Sequence, residues 1–422
     1  MGIILDAPVE PYRYLFAIGA VNAVCGAVVW LVYAAGLMPY PAVMHPILMS
    51  GGFLTSFGLG FLWTALPRFT HSDTTRFRDI LPLLVTSLAA MASTLVGWIS
   101  IAMIFHLLTV IQSLVFAERC FRRGQQTAPE SFVFIRVGLV INATCIGILV
   151  LQSFLQTSAD ASMMPFALSH FARSFFLKGF MLFLLIGVGH RLVPAIIGMP
   201  SPQKIDLHPR SSTILHSMLH GVMKSKEHWL LMTAFLGAFL IEALGEVRIS
   251  ASVFAVTFVW TALRVFRVTH RPDVSHPVAL FVWCSVWSMT IAPLCIAVWP
   301  QAAIHLWHIM FIAALALVTI MVSLRVSISH SGFGVIHSEE RKRYITWIGG
   351  LLLLTAAVRA TIALTPAQAV SHYAYASLLW IIVIATWVKA FFRFAVMVEH
   401  TRVVELLRTT TTTSPAFPGK GR

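Results

Sequence analysis

Six histidines, His45, His106, His170, His305, His308 and His372, fall within or at the lip of long apolar runs. A neutral imidazole is the usual protein ligand of haem iron and a common ligand of copper. In hydrocarbon such a ring is expensive, so it faces a bundle interior, lines a cavity or binds something. A single histidine at a lip is explained by snorkelling or by a bond to a carbonyl; six at one depth are not. His305 and His308 stand three apart, on one face of a helix. One can ligate a metal while the other ligates a second or supports the first. The chemistry suggested is nitrogen ligation of haem b, and of copper beside it. Arg173 and Lys178 follow His170 by three and eight residues and are placed to neutralise haem propionates. For Lys178, pairing with a carbonyl is the equal alternative.

The elements that position these residues follow from composition. The chain has 422 residues, of which 58% are hydrophobic and 11% charged, with a mean hydropathy of +0.83. No soluble domain of this length hides that much apolar surface, so an all-α polytopic membrane protein is expected. Apolar runs of about 18 to 25 residues lie near 12–35, 41–66, 79–96, 98–117, 131–155, 165–190, 229–247, 249–266, 277–298, 302–326, 344–364 and 369–397. Twelve spans form one domain over residues 1–400, and residues 401–422 read as a disordered polar tail. The start lacks a basic segment and a cleavage site, so the first run reads as a retained helix.

The net charge of +14 is a topology signal and does not point to nucleic acid. Lysine and arginine concentrate in alternate loops, after the second, fourth, sixth, eighth and tenth runs and at the C-terminus. The positive-inside rule then puts both termini in the cytoplasm. That orientation places His45, His170, His305, His308 and His372 in the first turns of spans that begin at the outer face. His106 lies about 12 Å below the start of its own span. All six share a slab in the outer third of the bilayer. His190, His276, His330 and His400 scatter over the cytoplasmic ends, and His208, His216 and His220 sit in a basic loop that reads as interfacial.

The five cysteines form no CxxC or CxxCH, which excludes thioredoxin-like chemistry, covalent c-type haem and a cysteine-built zinc site. Near membrane depth the carboxylates are Glu242 and Glu246, little from which to build a proton relay. Beneath His45, Gly52, Ser56 and Gly60 repeat every four residues. The stripe allows close helix packing or leaves room for a flat macrocycle hung from His45, and both readings stay open. Met49, one turn below, reads as an axial thioether or as a core filler, the filler being favoured.

Three stretches resemble the NnrS family of twelve-helix bacterial membrane proteins. The first, "HPILMSGGFLTSFGLGFLWTALPRFT", matches through His45, Met49, Gly52, Phe53, Thr64, Ala65 and Pro67. The second, "HIMFIAALALVTIMVSLRVSISHSG", matches through His308, Arg325, His330 and Gly332. The third, "FLKGFMLFLLIGVGHRLVP", matches through Arg191 and Pro194. Ile47 and Leu48 stand where many family members carry a histidine and a glutamate, a departure that bears on copper. The resemblance implies haem and copper, a part in nitric oxide stress, nitric oxide or a similar diatomic as ligand, and an unidentified electron donor. Two other classes compete. A haem-copper oxidoreductase such as a nitric oxide reductase also carries ligand histidines on its second, sixth, seventh and tenth helices. Here the seventh run has none, and His-x-x-His replaces His-x-His. A twelve-helix transporter fits the count but not the loop "PRFTHSDTTRFRD".

Overall fold

The computed structural model describes residues 6–155, 165–198, 226–329 and 339–392. The tail from 401, the basic loop with His208, His216 and His220, and the His330 and Gly332 positions lie outside these ranges. The described residues fold into twelve long helices. These are α1 Pro11–Ala34, α2 Met44–Thr70, α3 Phe77–Val96, α4 Ile99–Arg123, α5 Glu130–Leu155 and α6 Phe166–Ile196, then α7 Lys226–Ala243, α8 Val247–Val265, α9 Pro277–Val298, α10 Pro300–Ser329, α11 Glu339–Ala363 and α12 Pro366–Ala390. Eleven are long and apolar enough to cross a membrane. The expected twelfth, α7, falls short because its 18 residues include Lys226, Glu227 and Glu242.

The two tightest hairpins turn on glycines. Gly97 ends α3 at φ +87° and Gly245 follows α7 at φ +93°, left-handed values that a side chain disfavours. The Trp98 amide reaches back to the Ser93 carbonyl at 2.8 Å, closing the end of α3. Prolines open several spans: Pro11, Pro277 and Pro300 occupy first turns, where no intrahelical N–H is lost. The segment before α1 is tied to the α2–α3 loop through Val9 N–H to the Thr75 carbonyl and Phe77 N–H to the Ala7 carbonyl.

Three helices form the centre. Within α2, α6 and α10, 89%, 78% and 72% of the apolar window is buried, against 61% or less for the other spans. The others form arcs around them. Helices α3 to α5 run from α2 round to α6, α7 to α9 from α6 to α10, and α11, α12 and α1 from α10 back to α2. Each of the central three contains a π-helical stretch near its start, Ile47–Leu54 in α2, Phe175–Gly179 in α6 and Ile309–Ala316 in α10, whereas the π stretches of α8 and α12, Thr261–Val265 and Val388–Phe392, lie at their far ends. Such wide turns inside α-helices occur often at functional sites.

Candidate functional site

A cavity of about 490 Å³ opens where α2, α6 and α10 begin, within the range of about 300–1,000 Å³ usual for cofactor and ligand pockets. His45, His170 and His308 line it, one from each central helix, and each lies within five residues of its helix's π stretch. The walls are mainly apolar, with Phe53, Leu54, Trp307, Phe311 and Trp380 among them. The charged groups at the wall are Arg173, the Lys178–Glu242 pair and Arg359, with hydroxyls from Tyr373 and several serines beside them.

Two of the histidines are anchored through one ring nitrogen. His45 Nδ1 lies 2.8 Å from the carbonyl oxygen of Gly26, and His308 Nδ1 lies 2.8 Å from that of Ile304. A carbonyl only accepts, so each Nδ1 carries the proton and donates it. Each Nε2 is then left with its lone pair free. Metal-ligating histidines are commonly held this way, the second nitrogen anchored so that tautomer and ring plane are fixed. His170 is less defined: its ring stacks on Phe166 at 5.7 Å, and its buried Nδ1 has no hydrogen-bond partner.

The other three histidines are not brought to the cavity. His305 turns to Arg359, whose N–H donates to its Nδ1 across 3.1 Å, so its lone pair is already occupied. Of the two roles expected for the pair, the geometry gives His305 no free nitrogen toward the cavity and leaves His308 with its Nε2 free. His372 spends both nitrogens fastening the α11–α12 turn, Nδ1 on the Val358 carbonyl at 3.0 Å and Nε2 with Thr365 Oγ1 at 3.2 Å. His106 is buried against α2 and α6, its ring 5.9 Å from that of Phe176, in room left by Gly51.

Two cations are buried among the described residues, and they are handled differently. Lys178 Nζ bonds Glu242 Oε1 at 2.6 Å and sits 3.5 Å from the centre of the Trp307 ring, while Ser174 donates to the other carboxylate oxygen at 2.8 Å. Lys178 thus pairs with a carboxylate that α7 supplies, in place of the propionate or carbonyl expected for it. Arg359, 6% exposed, has no carboxylate partner among the described residues. It has the His305 nitrogen, the Tyr373 ring at 4.6 Å and the Trp30 ring at 5.8 Å. Cation–π contacts supply about 0.5–2 kcal/mol, less than the several kcal/mol per ion that desolvation costs. Arg173 is exposed at the cavity mouth and makes no charged contact.

The small-residue stripe resolves toward packing. A side chain on Gly52 would run into Asn22, and one on Gly60 into Phe16 and Leu15, while Ser56 packs on Gly19. All four partners belong to α1, and none of the stripe lines the cavity. The room-for-a-macrocycle reading is corrected on this point. Helix α2 presents His45, Pro46, Met49, Ser50, Phe53 and Leu54 to the cavity, and the sulfur of Met49 also fills the groove over Gly26. Ile47 and Leu48 are buried away from it, Leu48 among Val29, Trp30, Ile362 and Tyr373.

Sequence reasoning passed over the role of Glu242. The signal was present: it is one of two carboxylates near membrane depth, at the level of Lys178. It also passed over the opposite end of the bundle, where His190 and His228 stack with Nδ1 and Nε2 3.3 Å apart. No three His, Cys, Asp or Glu side chains converge closely enough to cage a metal ion among the described residues. The nitrogen donors that reach the cavity are the imidazoles of His45, His170 and His308, so a metal-bearing group would be held there by histidine. A bare copper ion would find His45 and His308 and little else.

A helical bundle with eleven membrane-length apolar spans among the described residues defines a polytopic membrane protein, with a histidine-bearing, largely apolar cavity at one end of its three central helices. The family model described as NnrS protein matches residues 9–397, and the chain belongs to that family. A search of curated proteins returns no match.

Proposed function

We propose that the chain is a haem b-binding protein of the bacterial inner membrane that contributes to tolerance of nitric oxide. Both termini would be cytoplasmic, which puts the cavity in the outer half of the bilayer. The observation that carries this reading is the pair His45 and His308, which face one apolar cavity with both Nδ1 protons committed to backbone carbonyls. Family membership and the apolar walls support it.

In this reading His45 and His308 would hold the group, with His170 a third imidazole at the wall. When bound, haem would supply an iron that takes a diatomic ligand such as nitric oxide in exchange for one of these imidazoles. The Gly26 and Ile304 carbonyls keep each ring in one tautomer. Phe53, Phe311 and Trp380 exclude water from the space between the rings. Glu242, the carboxylate among the cavity-lining residues, is held by Lys178 and Ser174, which supports ligand binding over a proton-consuming reaction.

The test is a visible spectrum of purified protein with metal analysis, before and after nitric oxide is added to the reduced form. A Soret band that shifts on addition, without sustained consumption of the gas, is expected. Stoichiometric absence of haem after expression in haem-replete cells would refute the proposal. Sustained turnover abolished in His308→Ala would replace it with the oxidoreductase reading.

A further inference from the structure

We infer that the cavity's ligand is an amphipathic anion whose carboxylate pairs with Arg359. The inference deepens the proposed function and rests on it for the identity of the ligand, but its physical basis is independent. A guanidinium carries a full charge at any physiological pH and presents five donors in a planar fork shaped for a carboxylate. Removing it from water without a counter-ion is unfavourable, and buried charges are therefore paired. The other buried cation obeys this rule through Glu242. Arg359 does not: among the described residues its contacts are one imidazole nitrogen and two aromatic faces, all neutral.

Its position says where the missing charge comes from. Arg359 lines the same cavity as His45 and His308. The carboxylate lining that cavity, Glu242, is taken on both oxygens by Lys178 and Ser174. A ligand with an apolar body suits the walls, and a carboxylate at one edge completes the arginine. His305 then acts as a positioning residue: with its Nδ1 lone pair on one guanidinium nitrogen, it fixes the plane of the fork. Arg173, exposed at the mouth, is a poorer anchor because water already solvates it.

The experiment compares free acids with their esters on the purified full-length protein. Protohaem and its dimethyl ester share the same iron and ring and differ in negative charge. The native chain should bind the free acid more tightly by on the order of tenfold, as a charge-assisted bidentate contact implies. Arg359→Met should remove that preference by weakening the acid alone, Arg359→Lys should keep part of it, and His305→Ala should reduce it. Equal affinity for acid and ester in the native chain overturns the inference without any variant having to fold, and so does an Arg359→Met variant that weakens both alike. If neither porphyrin binds, the haem reading falls. The same comparison is then made with pyrenebutyrate and its methyl ester, where preference for the acid supports the anion site and equal binding overturns it.

Discussion

The His45 ring belongs to α2 but is oriented by α1: its Nδ1 donates to the Gly26 carbonyl across 2.8 Å. Gly26 also seats α2 by having no side chain: a Cβ there would meet the sulfur of Met49. One position on α1 therefore serves the tautomer of His45 and the seating of Met49 at once.

His45→Ala and His308→Ala should each lose the visible absorption band, because each removes a free Nε2 from the cavity. His305→Ala should keep the band, since that ring is engaged by Arg359, and His372→Ala should keep it as well. Absorption and haem content of the four purified variants decide this. Retention in the first pair with loss in the second would invert the assignment.

Gly52→Val should destabilise the fold by about 1–3 kcal/mol, because the new side chain overpacks against Asn22. The residual folded protein should still bind haem at full stoichiometry, since Gly52 faces α1. Thermal unfolding in detergent, read beside haem content, separates the two effects. Normal stability with lost haem would restore the stripe to the cofactor.

Lys178→Met or Glu242→Gln alone should be strongly destabilising, by about 3–5 kcal/mol, since each leaves one buried partner unmatched. The double substitution should recover most of that loss. A double-mutant cycle on unfolding measures the coupling, and additive effects would mean that the pair is not a unit.

A reporter fused after residue 422 should be active only on the cytoplasmic side, and one inserted at the Trp299–Gln301 turn only on the periplasmic side. Alkaline phosphatase and green fluorescent protein fusions read both. The reverse pattern would move the cavity to the inner face and separate it from incoming extracellular gas.

Most of the architecture was legible in the sequence because hydropathy over about twenty residues is a strong signal. Glycine at 97 and 245 accounts for the close hairpins that hydropathy alone separates poorly. What stayed hidden had local causes. Counting 3.6 residues per turn carried His45 onto the face of Gly52, yet Ile47–Leu54 is a π stretch and its wider turns break that count. His305 and His308 are equivalent by spacing, and the distinction between them comes from Arg359, 54 residues beyond His305. Lys178 and Glu242 were both visible, but the bond between them spans 64 positions and two elements.

The cavity draws its wall from both ends of the chain, from Ala27 and Trp30 on α1 to Tyr373 and Trp380 on α12, and Trp380 donates to the Ala23 carbonyl on α1. During synthesis the first helix must therefore wait in the bilayer for the last. Until α11 and α12 have been inserted, Arg359 is missing and the chamber stands open to lipid. If the cavity takes the ligand proposed above, it would do so only once the final hairpin is in place, and a chain that stalls before that point would present His45 and His308 without the wall that Arg359, Tyr373 and Trp380 complete.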